Sequence, residues 1–266
     1  MFGRPSPHPP RAESLVMRGP RRVRTVAGTL VLAASVAACE DDPTGTPLDL
    51  DLPAAEARKG GGNGPPGTGG GDPVQDDFTA WNPDRWTEGD HPLGKGSFRP
   101  ENVSVADDLL KLRLPADTYD GGEIRSAERL RWGTYEARIR VADAPGSIAT
   151  FFLYEYTRTN NDEVDIEIFG DGSRRVMFTT WVRGRQTNHV VVVLPFDPSA
   201  GFHDYRIEWS PGAVRFAVDG VTRAEFTDGI PSSAMYVMAN AWWPVWLDGP
   251  TPSEDRTSDY DWIRHP

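Results

Sequence analysis

The sequence predicts an all-β sandwich or barrel behind an export signal and a flexible tether. Three observations carry this. From about Asp76 to Pro266, aromatic and β-branched residues come in short alternating runs bounded by Gly, Pro, Asp and Asn. No stretch holds a long apolar period of 3.6 residues, so little helix is expected. Strands without interleaved helices leave sheet packed on sheet as the architecture. About 190 residues is a normal size for one such domain, and the sequence has no internal repeat.

The elements follow in chain order. Residues 17–39 read "MRGPRRVRTVAGTLVLAASVAAC". A basic start leads into an apolar run and then small residues, the pattern of a secretory signal peptide; the run is too short to span a membrane. Residues 1–38 form this segment, with Met17 a candidate true start. The closing "SVAAC" resembles a bacterial lipoprotein processing box, which implies cleavage before Cys39 and lipid on its sulfur. An ordinary signal with an incidental cysteine is the alternative. The protein is therefore expected to be exported, either lipid-anchored to the bacterial envelope or secreted, and to meet a membrane only through that lipid. Cys39 is the one cysteine in the chain, so no internal disulfide forms. Residues 39–75, with "ARKGGGNGPPGTGGGDP", read as lipidated cysteine and tether. Residues 1–38 carry six Arg against one Glu, so the chain's net charge of −11 lies beyond them. An acidic exported domain does not suit nucleic acid, which needs basic surface.

Residues 76–266 form the folded domain. The runs "LLKLRL", "GTYEARIRV", "ATFFLYEY", "EVDIEIFG", "RVMFTTWV", "HVVVVLPF", "DYRIEWS", "AVRFAVDGV" and "MYVMANAWW" read as strands. "VDG" before "VTRAEF" is a hairpin signal.

One run carries unusual chemistry. In "NDEVDIEIFG", Glu163, Asp165 and Glu167 alternate with Val164, Ile166 and Ile168. Successive side chains of a strand point to opposite faces, so three carboxyls share one face. A solvated strand face is the bland alternative, but the run sits inside a very apolar sheet, and charged edge strands more often use Lys. Residues i and i+4 lie ~13 Å apart at Cα. Two Glu side chains leaning together from there can bring their carboxyls to ~5 Å, the separation of nucleophile and acid/base in a retaining glycosidase. Asp165 between them can hydrogen-bond to either, and its charge can hold one of them protonated. Repulsion then has a use, since it lifts a carboxyl toward the range of a general acid.

"DEVDIEIFG" resembles the signature of glycoside hydrolase family 16. "GGEIRSAERLRWGTYEARIRV", "GFHDYRIEWSPGAVRFAVDGV", "NAWW", "WLDG" and "YDWIR" are similar to segments of its bacterial licheninases. The resemblance covers about residues 76–264. It implies a concanavalin-like β-jelly roll of two curved antiparallel sheets and a retaining endo-β-glucanase acting on β-1,3-1,4- or related β-glucans. It implies Glu163 as nucleophile, Glu167 as acid/base and Asp165 as assisting carboxylate. Glu123 and Arg125 match a pair that binds sugar hydroxyls. Trp242 and Trp246 match donor-side aromatic platforms, and Trp181 stands where licheninases place a Tyr. Asn161 replaces a usual Trp, and Thr179-x-Trp181 replaces Asn-x-Tyr; these departures bear on substrate rather than chemistry. A transglycosylase on β-glucan or xyloglucan would use the same residues. A non-catalytic glucan-binding, lectin-like module would lack the two Glu.

Trp132, Trp209 and Trp262 are expected in the core, His203 in a structural role and His189 at a strand end. No Cys/His cluster suits zinc. No cofactor is required on this reading. Asp261 in "YDW" matches a position contributing to a calcium site in some family members. The expected partner is a β-glucan polysaccharide, and the expected state a monomer.

Overall fold

A computed structural model describes residues 73–157 and 160–266. The signal segment, Cys39 and nearly all of the tether lie outside these residues. Val74 and Gln75, expected in the tether, already pair in the first strand.

Two antiparallel sheets make the domain, and a single 3-10 turn, Pro100–Asn102, is the only helical element among the described residues. One sheet runs, in spatial order, β12 (Arg185–Val193), β11 (Arg175–Val182), β10 (Asn160–Phe169), β9 (Ile148–Thr157), β16 (Met235–Trp242), β7 (Gly122–Leu130) and β2 (Trp86–Glu88). The other runs β15 (Val221–Phe226), β14 (Ala213–Val218), β13 (His203–Ser210), β8 (Gly133–Arg140), β17 (Arg256–His265), β6 (Leu109–Leu114) and β5 (Val103–Ala106), with β1 (Val74–Asp76) also on β17. A short ribbon, β3 (His91–Leu93) with β4 (Gly96–Phe98), forms a separate two-stranded sheet and is bridged at Phe98 to Gly121, just before β7.

The strands follow the alternation. β6 shows it most plainly, since Leu110, Leu112 and Leu114 are fully buried while Lys111 and Arg113 are not. The two inner faces meet in one core that holds Val164, Ile166, Ile168, Phe151 and Phe178 from the first sheet. The second sheet contributes Tyr135, Ile139, Tyr205, Ile207, Phe216 and Tyr260. Phe178 stacks on Phe216 across the gap with ring centroids 4.9 Å apart. The "DG" turn joins β14 to β15 with Asp219 at φ 49° and Gly220 at φ 73°. A type I′ hairpin turn needs positive φ at both positions, which is why that dipeptide stands there.

Trp209 is in the core, with Trp132 edge-on at 4.6 Å. Trp262 is not, which corrects the sequence expectation. The ladders of β17 shift register between Tyr260 and Trp262, so the extra residue Asp261 moves Trp262 off the inner face, where Arg264 covers its ring at 5.0 Å. His203 stacks on Phe196 at 3.6 Å and bonds Asp219 at 2.9 Å, as a structural histidine. His189 lies well inside β12 rather than at its end, with Nε2 3.0 Å from Met177 Sδ.

Candidate active site

β10 is a central strand of its sheet and pairs without a register shift to β9 and β11. Val164, Ile166 and Ile168 therefore enter the core, and Glu163, Asp165 and Glu167 project together from the opposite face. That face is walled. Glu163, Asp165 and Glu167 keep only 4%, 2% and 4% of their surface.

The register assigns neighbours to each carboxyl. Glu163 lies between Trp181 of β11 and Tyr154 of β9, with Tyr236 of β16 next in the row. Asp165 lies between Thr179 and Phe152, with Met238 and Arg125 beyond. Glu167 lies between Met177 and Thr150, with Asn240 and Glu123 beyond. The structure thus brings Glu123, Arg125 and Trp181 to the face that carries the three acids. Arg125 stacks on the Tyr236 ring at 4.6 Å, and Arg129 lies over the same ring at 4.9 Å.

Asp165 is held by one short chain of donors. The Thr179 amide and hydroxyl both donate to its Oδ1, at 3.2 and 2.7 Å, and Trp181 Nε1 donates to that hydroxyl at 2.8 Å. Trp181 therefore fixes the hydroxyl that fixes the carboxylate. Burial pushes the Asp165 carboxyl up to about 7, although both Thr179 bonds pull it down. Burial also lifts Glu163 well above the ordinary carboxyl range, and the neighbouring Asp165 adds to it. Glu167 is raised by burial, then by Asp165, then by Glu163. Three acids that share a dry face cannot all ionise near neutral pH, so at least one keeps a proton to give.

The aromatic residues divide. Trp242 is on this face, as expected, but only 5% exposed, within a patch of Phe98, Ile148, Phe169 and Met177. The Gly94 backbone presses on it so closely that a Cβ there would stand 2.8 Å from the ring. Trp242 is thus wall rather than open platform. Trp246 is partly exposed and meets Phe169 edge-on at 5.9 Å. Tyr154 and Tyr156 of β9, stacked at 6.5 Å, also line the acidic face.

Five of these residues went unread in sequence: Thr179 as the holder of Asp165, Tyr154, Tyr156, Asn240 and His91. The tyrosines had a signal, because Phe152, Tyr154 and Tyr156 alternate in register with the acids. His91 had none; its partner Glu123 is 32 residues away. Asp261 pairs with Arg138 at 3.2 Å, and no three His, Cys, Asp or Glu side chains gather as a metal group among the described residues. A cation at Asp261 would have to share that carboxylate with a guanidinium.

Residues 95–264 match the family model described as glycosyl hydrolases family 16. A β-glucanase of Paenibacillus macerans is 32% identical over 199 residues, covering 70% of this chain and 84% of that protein. One of Paenibacillus polymyxa is 33% identical over 179 residues, covering 64% and 75%. Among solved structures, a Bacillus licheniformis β-glucanase superposes with a TM-score of 0.68 at 27% identity, covering 73% of this chain and 98% of that one. The two-sheet fold, the placement of the acidic triad and these matches agree: the chain belongs to family 16 of the glycosyl hydrolases.

Proposed function

We propose that this chain is a retaining endo-β-glucanase that cleaves β-1,3-1,4- or closely related β-glucans. The observation that carries the reading is the triad itself: two buried Glu four residues apart on one strand face, with a buried Asp between them. The β-glucanases it resembles supply the substrate class. Glu163 attacks the anomeric carbon while Glu167 protonates the leaving oxygen. An ester forms on Glu163, and Glu167 then takes a proton from the water that breaks it. The proton that Glu167 needs is held there by burial and by the two neighbouring acids. Asp165, pinned on one oxygen by Thr179, acts on that proton through its charge.

Azide tests the assignment. Glu163→Ala and Glu167→Ala should each abolish hydrolysis of unactivated β-glucan. Azide with Glu163→Ala should yield an α-glycosyl azide. With Glu167→Ala and an activated substrate it should yield the β-azide, because the covalent intermediate still forms first. Exchanged stereochemistry reverses the two roles, and wild-type product of inverted configuration refutes the two-step mechanism.

Export, with lipid at Cys39, is part of the proposal. The support is the basic, apolar, small-residue order of residues 17–39. Cys39→Ala should release the protein from the membrane fraction or block maturation; unchanged fractionation and mature mass refute anchoring.

A further inference from the structure

Glu167 belongs to a polar row. Thr150, Asn240 and Glu123 follow it across β9, β16 and β7, one residue per strand, and none exceeds 5% exposure. Beneath the row, the Tyr260 hydroxyl of the other sheet lies 2.9 Å from the Thr150 carbonyl and 3.2 Å from that of Asn240. Above it, two atoms have no hydrogen-bond partner among the described residues: Thr150 Oγ1 and Asn240 Oδ1. A buried polar atom left unpaired costs about 1–3 kcal/mol, so a native fold keeps such atoms where something else will meet them. Hydroxyl-rich sugar rings are suited to that.

The far end of the row is held from outside the sheet. Glu123 Oε2 accepts from Asn240 Nδ2 at 3.3 Å, and Oε1 lies 3.0 Å from His91 Nε2. The Gly89 backbone leaves no room beside that oxygen, since a Cβ there would stand 2.8 Å from it. His91 comes from the β3–β4 ribbon, which is tied down separately: Lys95 donates from its amide to the Trp243 carbonyl at 2.8 Å and from Nζ to that of Leu247 at 2.6 Å. Phe98 packs edge-on to the imidazole at 5.2 Å. The charged groups facing His91 are Glu123 from β7 and Asp90 just before it, and Asp90 is itself paired with Arg99 at 3.4 Å. β4 and β16 hold no charged residue.

We propose that His91 is a positioning residue for glucan binding. As imidazolium it pins the Glu123 carboxylate, and through it Asn240, so that the row meets sugar hydroxyls in a fixed geometry. Affinity then falls as the imidazolium loses its proton. The inference rests on the site being a β-glucan cleft. Burial alone would push the imidazole below its ordinary 6.5, but the Glu123 bond and charge, then the Pro92 carbonyl 3.2 Å from Nδ1 and the charge of Asp90, outweigh burial and carry it upward. The ion pair is therefore complete in acid, and its charge is lost as pH rises through that raised value.

KM and kcat on a mixed-linkage β-glucan, measured from pH 6 to pH 9, test this. A charge-assisted hydrogen bond corresponds to about tenfold or more in affinity. Wild-type KM should rise about tenfold across the range. His91→Gln should show the raised KM already at pH 6 and no further rise, with kcat within about twofold at each pH. His91→Lys, still charged at pH 9, should keep KM low and flat. A His91→Gln enzyme whose KM retains the wild-type pH dependence overturns the inference. A second readout does not need turnover: the His91 ring-proton titration, followed by NMR, should move to lower pH in Glu123→Gln. An unmoved midpoint with glucanase activity present in the wild type overturns the inference alone. A wild type that hydrolyses no β-glucan overturns the proposed function, and the binding part of this inference with it.

Discussion

Replacing Asp165 by Asn should stabilise the domain while disabling it. The isosteric amide keeps an oxygen for the two Thr179 donors and removes an acid that the fold holds under strain. Unfolded, Asp165 ionises near its ordinary 3.8; folded, burial holds its proton up to about 7. Between these values the native state binds the extra proton, so its stability falls as pH rises through that window. Each factor of ten in proton affinity is worth about 1.4 kcal/mol, which makes the full penalty about 4 kcal/mol above pH 7. The amide must bury N–H donors of its own, at a cost of about 1–3 kcal/mol where they are unpaired, which leaves a gain of about 2 kcal/mol. In a domain of this size that raises Tm by about 4–8 °C. The assay is calorimetric melting of Asp165→Asn and wild type at pH 4 and pH 8, with β-glucan hydrolysis measured in parallel. The variant should be the more stable at pH 8 and the less stable at pH 4, where the wild-type carboxyl is protonated in the fold and only the cost of the amide remains. Equal gains at both pH values, or no gain at pH 8, refute the argument that ionising this buried carboxyl costs the fold stability.

Trp242→Ala should destabilise the fold by about 3–5 kcal/mol, as a large aromatic lost from a packed site does. Trp246→Ala should instead raise KM with little change in Tm, and thermal melts beside kinetics separate the two. Gly94→Ala should loosen the ribbon, because φ there is +59° and the new Cβ would sit 2.3 Å from the Trp243 carbonyl oxygen. A lowered Tm and a raised KM are expected, and wild-type values of both would refute the contact. We also propose that Asp261 takes part in a calcium site; millimolar calcium should then raise Tm, EDTA should lower it, and identical melts refute the proposal.

Strands were legible wherever chemistry alternated. "LLKLRL" and "RVMFTTWV" coincide with β6 and β11 residue for residue. "HVVVVLPF" placed β12 four residues late, because the strand opens with four polar residues, Arg185, Gln186, Thr187 and Asn188, that show no apolar alternation even though their burial alternates. The face of Trp262 was hidden by a bulge, which reverses sidedness without changing composition. The triad could be read because it lies within five residues of one strand. The Glu123–His91 pair could not, because it depends on where a three-residue strand containing Pro92 comes to rest. The wall around Trp242 was illegible for the same reason: it is made by the Gly94 backbone, which carries no chemical signature.

The unbroken pairing of β10 makes the site sensitive to chain length as well as to substitution. With a side-chain period of two, losing Ile166 would turn everything on one side of the gap over. Glu167 would then take the place of Ile166, between Phe151 and Phe178, where those neighbours have no exposed surface. Such a carboxyl would have no partner and no water, and the sheet would sooner slip or unfold than hold it. A longer spacing can keep both acids on one face only if the added residue is taken up in a bulge. For this strand the number of residues between the two acids and the geometry of catalysis are therefore one constraint: the spacing can change in steps of two residues, or through a kink, and in no other way.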